Sequence, residues 1–124
     1  MFLHELKGLT LKSADIVVNE FIGLASEGSR KLPCLLLQFG DFSLSIYNPM
    51  TLTFGEFSVD SDQPEFRDSI RELIRSSVTG VREDGDAVRI DFSNVRALTI
   101  SLEENRYRGP EAIVFKTPNG FIVV

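Results

Sequence analysis

The sequence predicts an α+β domain, mostly antiparallel sheet in a sandwich or half-barrel, with one amphipathic helix at about residues 62–76. The first observation is a hairpin pattern that occurs at 35–46 and again, with one inserted residue, at 88–100. In each stretch an alternating apolar strand ends in Phe, turns through Gly-Asp or Ser-Asn, and resumes as a second alternating strand. The second observation is the similarity of 4–11 to 71–78, which indicates a possible internal half-repeat.

The composition is that of a single globular domain covering residues 1–124. Hydrophobic residues make up 43% and charged residues 25%, so disorder is not expected. The only cysteine, Cys34, excludes an internal disulfide and a thiolate metal cluster, and no cofactor is expected. No apolar run is long enough for a membrane span, and the first residues lack the pattern of a secretory signal. We therefore expect a cytoplasmic protein that makes no membrane contact.

The charge balance bears on the kind of partner. The chain has 18 acidic and 13 basic residues, a net charge of −5. A negative field repels phosphates, which disfavours binding to nucleic acid. The same field would speed association with a basic protein, although mild acidity also serves solubility alone.

The first half of the chain is predicted to be β structure throughout. A polar loop at 26–31, closed by Pro33, separates two strands. Thr51–Val59 is β-rich in composition but contains Gly55, so we expect one irregular edge strand there. The other strands predicted in this half lie at 9–18 (with a turn or bulge at 14–15), 21–25, 34–39 and 42–47.

The helix is predicted from its start signal and its apolar stripe. Asp62 precedes Glu65 by three residues, which is the spacing of a capping box, and Pro64 lies in the first turn. An apolar residue then recurs at i, i+4, i+7 and i+8, which places one stripe on a helix face. The stripe consists of Phe66, Ile70, Leu73 and Ile74.

The second half returns to strands. Asp84-Gly85 is a strong hairpin signal, because both residues tolerate positive φ. The total prediction is eight or nine strands, with the helix at the junction of the two half-repeats. The strands predicted in this half lie at 77–82, 87–92, 97–102, 112–117 and 121–124.

The chain shows no catalytic constellation. His4 is the only histidine and lies beside Glu5 in the first segment, as a surface histidine would. Cys34 begins an apolar run, which indicates a buried cysteine, although Arg30 and Lys31 nearby leave an activated thiolate as the alternative. Phosphate-binding loops and dinucleotide fingerprints are missing from the sequence. We therefore expect no enzyme activity.

The acidic residues are the candidate partner-binding residues, and they fall into three groups. Tyr107 opens the string Tyr-Arg-Gly-Pro-Glu, which is either a plain strand-entry turn or an exposed Tyr, Arg and Glu trio suited to an interface. The candidates are Asp60, Asp62, Glu65, Asp68 and Glu72 around the helix, Glu83, Asp84 and Asp86 at the hairpin, and Glu103, Glu104, Tyr107 and Glu111 near the last loop.

The chain resembles small bacterial immunity-type proteins of polymorphic toxin and contact-dependent growth inhibition systems. The resemblance involves Leu6-Lys7-Gly8, a Phe-Gly-Asp turn at 39–41, a Leu-Thr-Ile-Ser-Leu strand at 98–102, and Tyr107 to Ala112. It implies a cytoplasmic, non-enzymatic protein that binds a toxin domain and blocks its active site. It implies no residue roles.

The sequence thus predicts a protein-binding inhibitor, an immunity protein that neutralises a cognate and basic toxin domain of nuclease type. The acidic surface would then mimic the nucleic-acid substrate. The alternative is a structural or assembly module that forms a homodimer through the Thr51–Val59 edge strand. A third reading is a small-molecule binder with a Phe-lined cavity.

Overall fold

The fold was obtained as a computed structural model. It describes the chain in three stretches, and most side chains within them. The described residues are 3–22, 29–107 and 111–124, with side chains at 3–18, 32–107 and 111–124.

Ten strands and one α-helix lie in the described part of the chain, so the predicted antiparallel α+β class is confirmed. Every pairing between neighbouring strands is antiparallel. Sheet one has the order β1-β2-β3-β9-β10, and sheet two has the order β5-β4-β8-β7-β6. The elements are β1 Ser13–Ile22, β2 Ser29–Phe39, β3 Phe42–Ile46, β4 Met50–Phe54, β5 Phe57–Asp60, α1 Phe66–Arg71, β6 Val78–Glu83, β7 Ala87–Phe92, β8 Arg96–Ser101, β9 Ile113–Thr117 and β10 Gly120–Val123.

The two sheets are built by the same plan. Each half of the chain forms a three-strand meander, β1-β2-β3 or β6-β7-β8, and then a hairpin. Each hairpin crosses over and extends the sheet of the other half, so β4-β5 joins β8 and β9-β10 joins β3. The predicted half-repeat is therefore visible in the topology as a pseudo-twofold arrangement with exchanged hairpins.

Equivalent hydrogen bonds hold the two crossovers. The Tyr47 N–H donates to the Ala112 carbonyl at 2.8 Å, and the Ser101 N–H donates to the Pro49 carbonyl at 3.0 Å. Both donors follow directly after the last residue that pairs with the exchanged hairpin, which is Ile46 in sheet one and Ile100 in sheet two. Asn48 lies inside the first crossover, fully buried, and its Nδ2 donates to the Ser101 carbonyl at 2.8 Å. The exchange is thus fixed by main-chain bonds on both sides.

The pseudo-twofold axis passes between Thr10 and Ser77. These two residues form an isolated antiparallel bridge, and their hydroxyl oxygens lie 3.0 Å apart. Four backbone hydrogen bonds of 2.8–2.9 Å join 8–11 to 75–78 around them. The two similar sequence stretches at 4–11 and 71–78 therefore pair with each other and link sheet one to sheet two.

One buried cluster takes side chains from both sheets and from the helix. Burial of this apolar surface is the main favourable contribution to folding. Its largest fully buried side chains are Phe115, Leu3, Leu6, Leu11, Leu35, Leu37, Leu44, Ile46, Leu52, Ile70, Leu73 and Ile90.

The predicted helix at 62–76 is too long. The α-helix covers only Phe66–Arg71, and neither Asp62 nor the N-cap Glu65 makes a side-chain capping bond. After the helix the chain continues in tighter turns with i→i+3 bonds until Arg75, whose φ is 78°. The helix buries Phe66 and Ile70, and the tighter turns bury Leu73 and partly bury Ile74, so the same periodicity continues past the end of the helix.

The stretch Thr51–Val59 was predicted as one edge strand but is a hairpin of β4 and β5, of which β5 is the edge strand of sheet two. Gly55 has a φ of 61°, a conformation that glycine adopts without strain, and the chain reverses there. Phe54 then lies opposite Phe57, with their ring centroids 5.6 Å apart.

The first hairpin differs from its prediction in extent. β1 is continuous from Ser13 to Ile22, so there is no turn at 14–15. β2 begins at Ser29 rather than after Pro33, because the edge strand β1 pairs with it residue by residue. The predicted strand at 21–25 lies partly outside the described residues. The hairpins at 35–46 and 88–100 and the Asp84-Gly85 turn are confirmed.

Candidate functional site

An acidic cleft of about 450 Å³ lies at one end of sheet two. It is formed by the start of β4, the turn after β5, the β6–β7 turn and the segment that follows β8. Five of the predicted acidic residues meet in it, together with one arginine. Its lining consists of Pro49, Met50, Thr51, Asp60, Ser61, Asp62, Asp84, Asp86, Ala87, Thr99, Ser101, Glu103 and Arg106.

The first wall is held in place by bonds around Asp60. Its carboxylate accepts a hydrogen bond of 2.8 Å from the Thr51 hydroxyl on the neighbouring strand. Its N–H donates to Gln63 Oε1 at 2.7 Å, which closes the turn that carries Asp62. The Ser61 N–H donates to the Met50 carbonyl at 2.8 Å, which extends the ladder between the two strands. Asp60 and Asp62 are therefore carried on an ordered turn.

The second wall is the β6–β7 hairpin turn. Gly85, with a φ of 62°, allows the tight reversal between Asp84 and Asp86. The Asp84 N–H donates to the Ala87 carbonyl at 2.9 Å, and the Leu102 N–H donates to the Asp86 carbonyl at 2.6 Å. The second of these bonds ties the turn to the segment that forms the third wall.

The third wall contributes one acid and one base. The Glu103 N–H donates to the Ser101 hydroxyl at 3.3 Å, and a 3-10 turn at Glu104–Arg106 follows. Arg106 is the single cationic side chain in the lining, against five carboxylates. Hydroxyl groups of Ser101 and Thr99 line the cleft beside them. The cleft therefore presents negative charge and hydrogen-bond acceptors to solvent.

The remaining acids near the helix lie outside this cleft. Glu65, the N-cap residue of α1, and Asp68, within α1, are both exposed. Glu72 forms an ion pair with Arg96, with its Oε2 at 2.7 Å from Nη2, and its carbonyl accepts from Asn94 Nδ2 at 3.0 Å. These contacts turn Glu72 toward the β7–β8 turn. The predicted acidic surface around the helix is thus divided.

The other predicted residues also separate. Glu83 is exposed at the end of β6 and does not line the cleft. Glu104 lines an adjoining depression with Asp86 and Glu103. Tyr107 is partly buried and packs against the core, which does not fit a fully presented Tyr in the expected trio. Glu111 is half-buried. Arg108 lies outside the described residues.

Sequence reasoning missed the non-acidic lining. Thr99 and Ser101 alternate with the buried Leu98 and Ile100. Because side chains alternate between the two faces of a strand, the sequence could have predicted that both lie on the polar face. Arg106 gave no local signal, because its place depends on the 3-10 turn and on the hairpin beside it. The clustering of the three acidic segments depends on long-range strand pairing.

The two candidate catalytic residues were also located. Cys34 is buried, and burial raises the pKa of its thiol, while a hydrogen bond with Tyr47 lowers the pKa in part. A raised pKa is the opposite of what an activated thiolate needs. His4 is exposed in a 3-10 turn at His4–Leu6. Cys34 therefore has the predicted character of a structural cysteine.

An apolar cavity of about 100 Å³ lies beside Cys34 and Phe66. Small-molecule sites usually measure about 300–1,000 Å³, so this space is small for a ligand pocket.

Within the described stretches, no three His, Cys, Asp or Glu side chains converge closely enough to hold a metal ion. The same stretches contain no helix of the length and hydropathy that crossing a membrane requires. Comparison with known proteins gives no further guide, since no protein-family model, no curated protein and no solved structure matches this chain.

Proposed function

We propose that this protein acts by binding another protein, and that the acidic cleft receives a basic segment of that partner. The observation that carries the proposal is the meeting of five carboxylates, from three separate segments, in one cleft of about 450 Å³. Hydrogen bonds order the backbone that carries these acids: the Asp60 carboxylate is bonded to Thr51, and the Asp86 carbonyl accepts from the Leu102 N–H, so the segments are in place before a partner arrives. Preorganisation reduces the entropy that binding costs.

The chemistry of the cleft favours Lys or Arg side chains over other ligands. Carboxylate oxygens accept charge-assisted hydrogen bonds from ammonium and guanidinium groups, and the neighbouring hydroxyls of Thr99 and Ser101 supply further acceptors. The negative field would also accelerate the encounter with a basic surface. Phosphate-bearing ligands would be repelled by the same field.

A basic partner that fits the sequence resemblance is a toxin domain, of nuclease type, from a polymorphic toxin or contact-dependent inhibition system. A nuclease binds a polyanion through a basic active site, and an acidic cleft can occupy such a site in place of the substrate. On this proposal the protein is a cytoplasmic, non-enzymatic immunity protein.

The test is a calorimetric titration with the C-terminal domain of the large secreted protein encoded beside this chain in its source genome. Nanomolar one-to-one binding that abolishes the toxicity of that domain would support the proposal. The absence of such a neighbour, or of binding to it, would contradict the immunity function.

Two matched triple variants then test the cleft itself. The first reverses three charges inside the cleft, Asp62→Lys, Asp84→Lys and Asp86→Lys. The second changes the net charge equally but outside the cleft, with Glu56→Lys, Glu65→Lys and Asp68→Lys.

We expect the inside triple to weaken binding by at least about a hundredfold at low salt, since close interfacial charge pairs couple by about 1.5 kcal/mol or more each. The outside triple should weaken binding much less, through the long-range field alone, and that loss should disappear at high salt. Equal losses from the two triples would mean that net charge, and not the cleft, governs binding.

A further inference from the structure

The outer strand of sheet one, β10, carries an exposed apolar surface. Phe121 is 70% exposed, Ile122 is 43% exposed and Val123 is 47% exposed. Among the described strands β10 pairs only with β9, so it is an edge strand of its sheet. Proteins usually protect an edge strand against further pairing with charged residues, proline or a bulge. The residues of β10, Gly120–Val123, include no charged residue and no proline.

The backbone of β10 is also prepared for a further pairing. Val124 and Ile113 exchange both of their backbone hydrogen bonds, at 2.9 and 3.4 Å. In an antiparallel ladder such pairs recur at every second residue, so Ile122 also directs its N–H and C=O toward β9. The N–H and C=O groups of Phe121 and Val123 consequently point away from the sheet, at its open edge.

The pseudo-twofold allows β10 to be compared with β5, which is the equivalent edge strand of sheet two. The register of the two hairpins makes Ser58, Val59 and Asp60 of β5 equivalent to Phe121, Ile122 and Val123. Acidic residues Glu56, Asp60 and Asp62 lie in and beside β5, whereas 112–124 contains a single charged side chain, Lys116. Repulsion between like charges therefore protects the edge strand β5 against pairing with a second copy, whereas β10 has no such charges.

From these observations we infer that two copies of this chain associate through β10. The strands pair antiparallel about a twofold axis at Ile122, so that Phe121 of each copy lies opposite Val123 of the other. In this register the outward N–H and C=O groups form four intermolecular hydrogen bonds. Phe121 packs on Val123 of the second copy on the outer face, and the two Ile122 side chains meet on the other face.

Charge and symmetry both favour a second copy of this chain as the partner of β10. The chain carries a net charge of −5, so two copies repel each other over most surfaces, and β10 is a place where no carboxylate side chain faces its equivalent. The contact is isologous, so it ends at a dimer and does not propagate into a filament. Sheet one of each copy has five strands, and β10 lies at one of its two edges. The dimer therefore contains a continuous sheet of ten strands.

The first test is sedimentation velocity of the full chain from low micromolar to near-millimolar concentration. An interface of a few side chains falls in the small, weak class, so we expect reversible dimer formation within that range. In parallel, amide hydrogen exchange should slow for Phe121 and Val123 as concentration rises, while the Ile122 amide is protected at every concentration. A sedimentation coefficient that stays at the monomer value, or exchange at Phe121 and Val123 that does not slow, would overturn the inference.

A pair of variants tests whether the dimer contact is made by β10. Val123→Asp places in β10 the residue type found at the equivalent position of β5, and it should raise the dimer dissociation constant at least about tenfold. Phe57→Asp, at a 69% exposed position of β5, is the control and should leave dimer formation unchanged. A dimer that persists in Val123→Asp, or one lost in Phe57→Asp, would place the contact elsewhere. Exchange data on the wild-type chain test the inference independently of how either variant folds.

Discussion

Equivalent truncations in the two sheets should cost similar amounts of stability. Leu44 in β3 and Leu98 in β8 occupy equivalent positions of the pseudo-twofold, and both side chains are fully buried. Leu44 lies opposite Phe115 of the exchanged hairpin in sheet one. Leu98 lies opposite Leu52 of the exchanged hairpin in sheet two. The change is Leu44→Ala in one variant and Leu98→Ala in the other.

The expected magnitude follows from burial. Replacing a buried Leu by Ala removes three carbons, at about 0.8 kcal/mol each, and leaves a cavity, so the observed range is about 2.7–5 kcal/mol. Since a domain of this size is stable by about 5–15 kcal/mol, each variant should lose a large fraction of its free energy of unfolding. Because both side chains are fully buried at equivalent positions, we expect both losses to fall within this range, although their neighbours Phe115 and Leu52 differ.

The assay is equilibrium unfolding in urea, followed by far-UV circular dichroism and by tyrosine fluorescence. Each variant should show one transition at a lower midpoint with an unchanged slope, because a shared core unfolds as one unit. Two separated transitions in either variant would refute the reasoning, since they would show that the sheets unfold independently. Losses that differ several-fold would contradict the equivalence of the two sites.

Two further predictions concern single side chains. Arg96→Ala should lower the free energy of unfolding by about 1 kcal/mol, because it removes both the ion pair to Glu72 and a guanidinium that lies 5.1 Å from the Phe54 ring centroid. Glu72→Gln, which removes the ion pair alone, should cost less, and an equal cost in urea unfolding would refute the contribution of the ring. Burial raises the pKa of Cys34, so above the ordinary thiol pKa of 9.0 the unfolded chain ionises first and wild-type stability should fall with rising pH. Cys34→Ala should show a smaller fall than the wild type, and parallel urea titrations of both proteins at about pH 8 and about pH 10 measure the difference.

The local features of the fold were predictable because their signals are local. Alternation from Leu35 to Ile46 depends only on neighbouring residues, and so does the Asp84-Gly85 turn. The stripe from Phe66 to Leu73 correctly marked buried positions. It could not mark the end of the helix, because a tightened turn buries the same spacing and Arg75 reverses the chain only with the support of Leu11.

The exchange of hairpins and the cleft were beyond sequence reasoning. Leu44 has the same pattern whether it pairs with a strand of its own half or with β9, so alternation cannot select the neighbour. The cleft exists because β4 lies beside β8 and β8 lies beside β7, which brings Asp60 and Asp84 to one end of the sheet. Charge composition indicated acidic contacts, but only this strand order separates Asp84 from Glu65.

The exchanged hairpins also determine when the chain can fold during its own synthesis. The meander that ends at Ile46 receives its missing neighbour from Ile113–Thr117, so sheet one remains incomplete until the ribosome has made those residues. Likewise, the early hairpin at Met50–Asp60 cannot pair within sheet two until β8 has been made. Nascent chains thus expose the apolar faces of β3 and β4 until β9 and β8 have been made, and chaperones act on such exposed surfaces. We therefore expect that slowing translation gives no folding advantage before the last strands emerge.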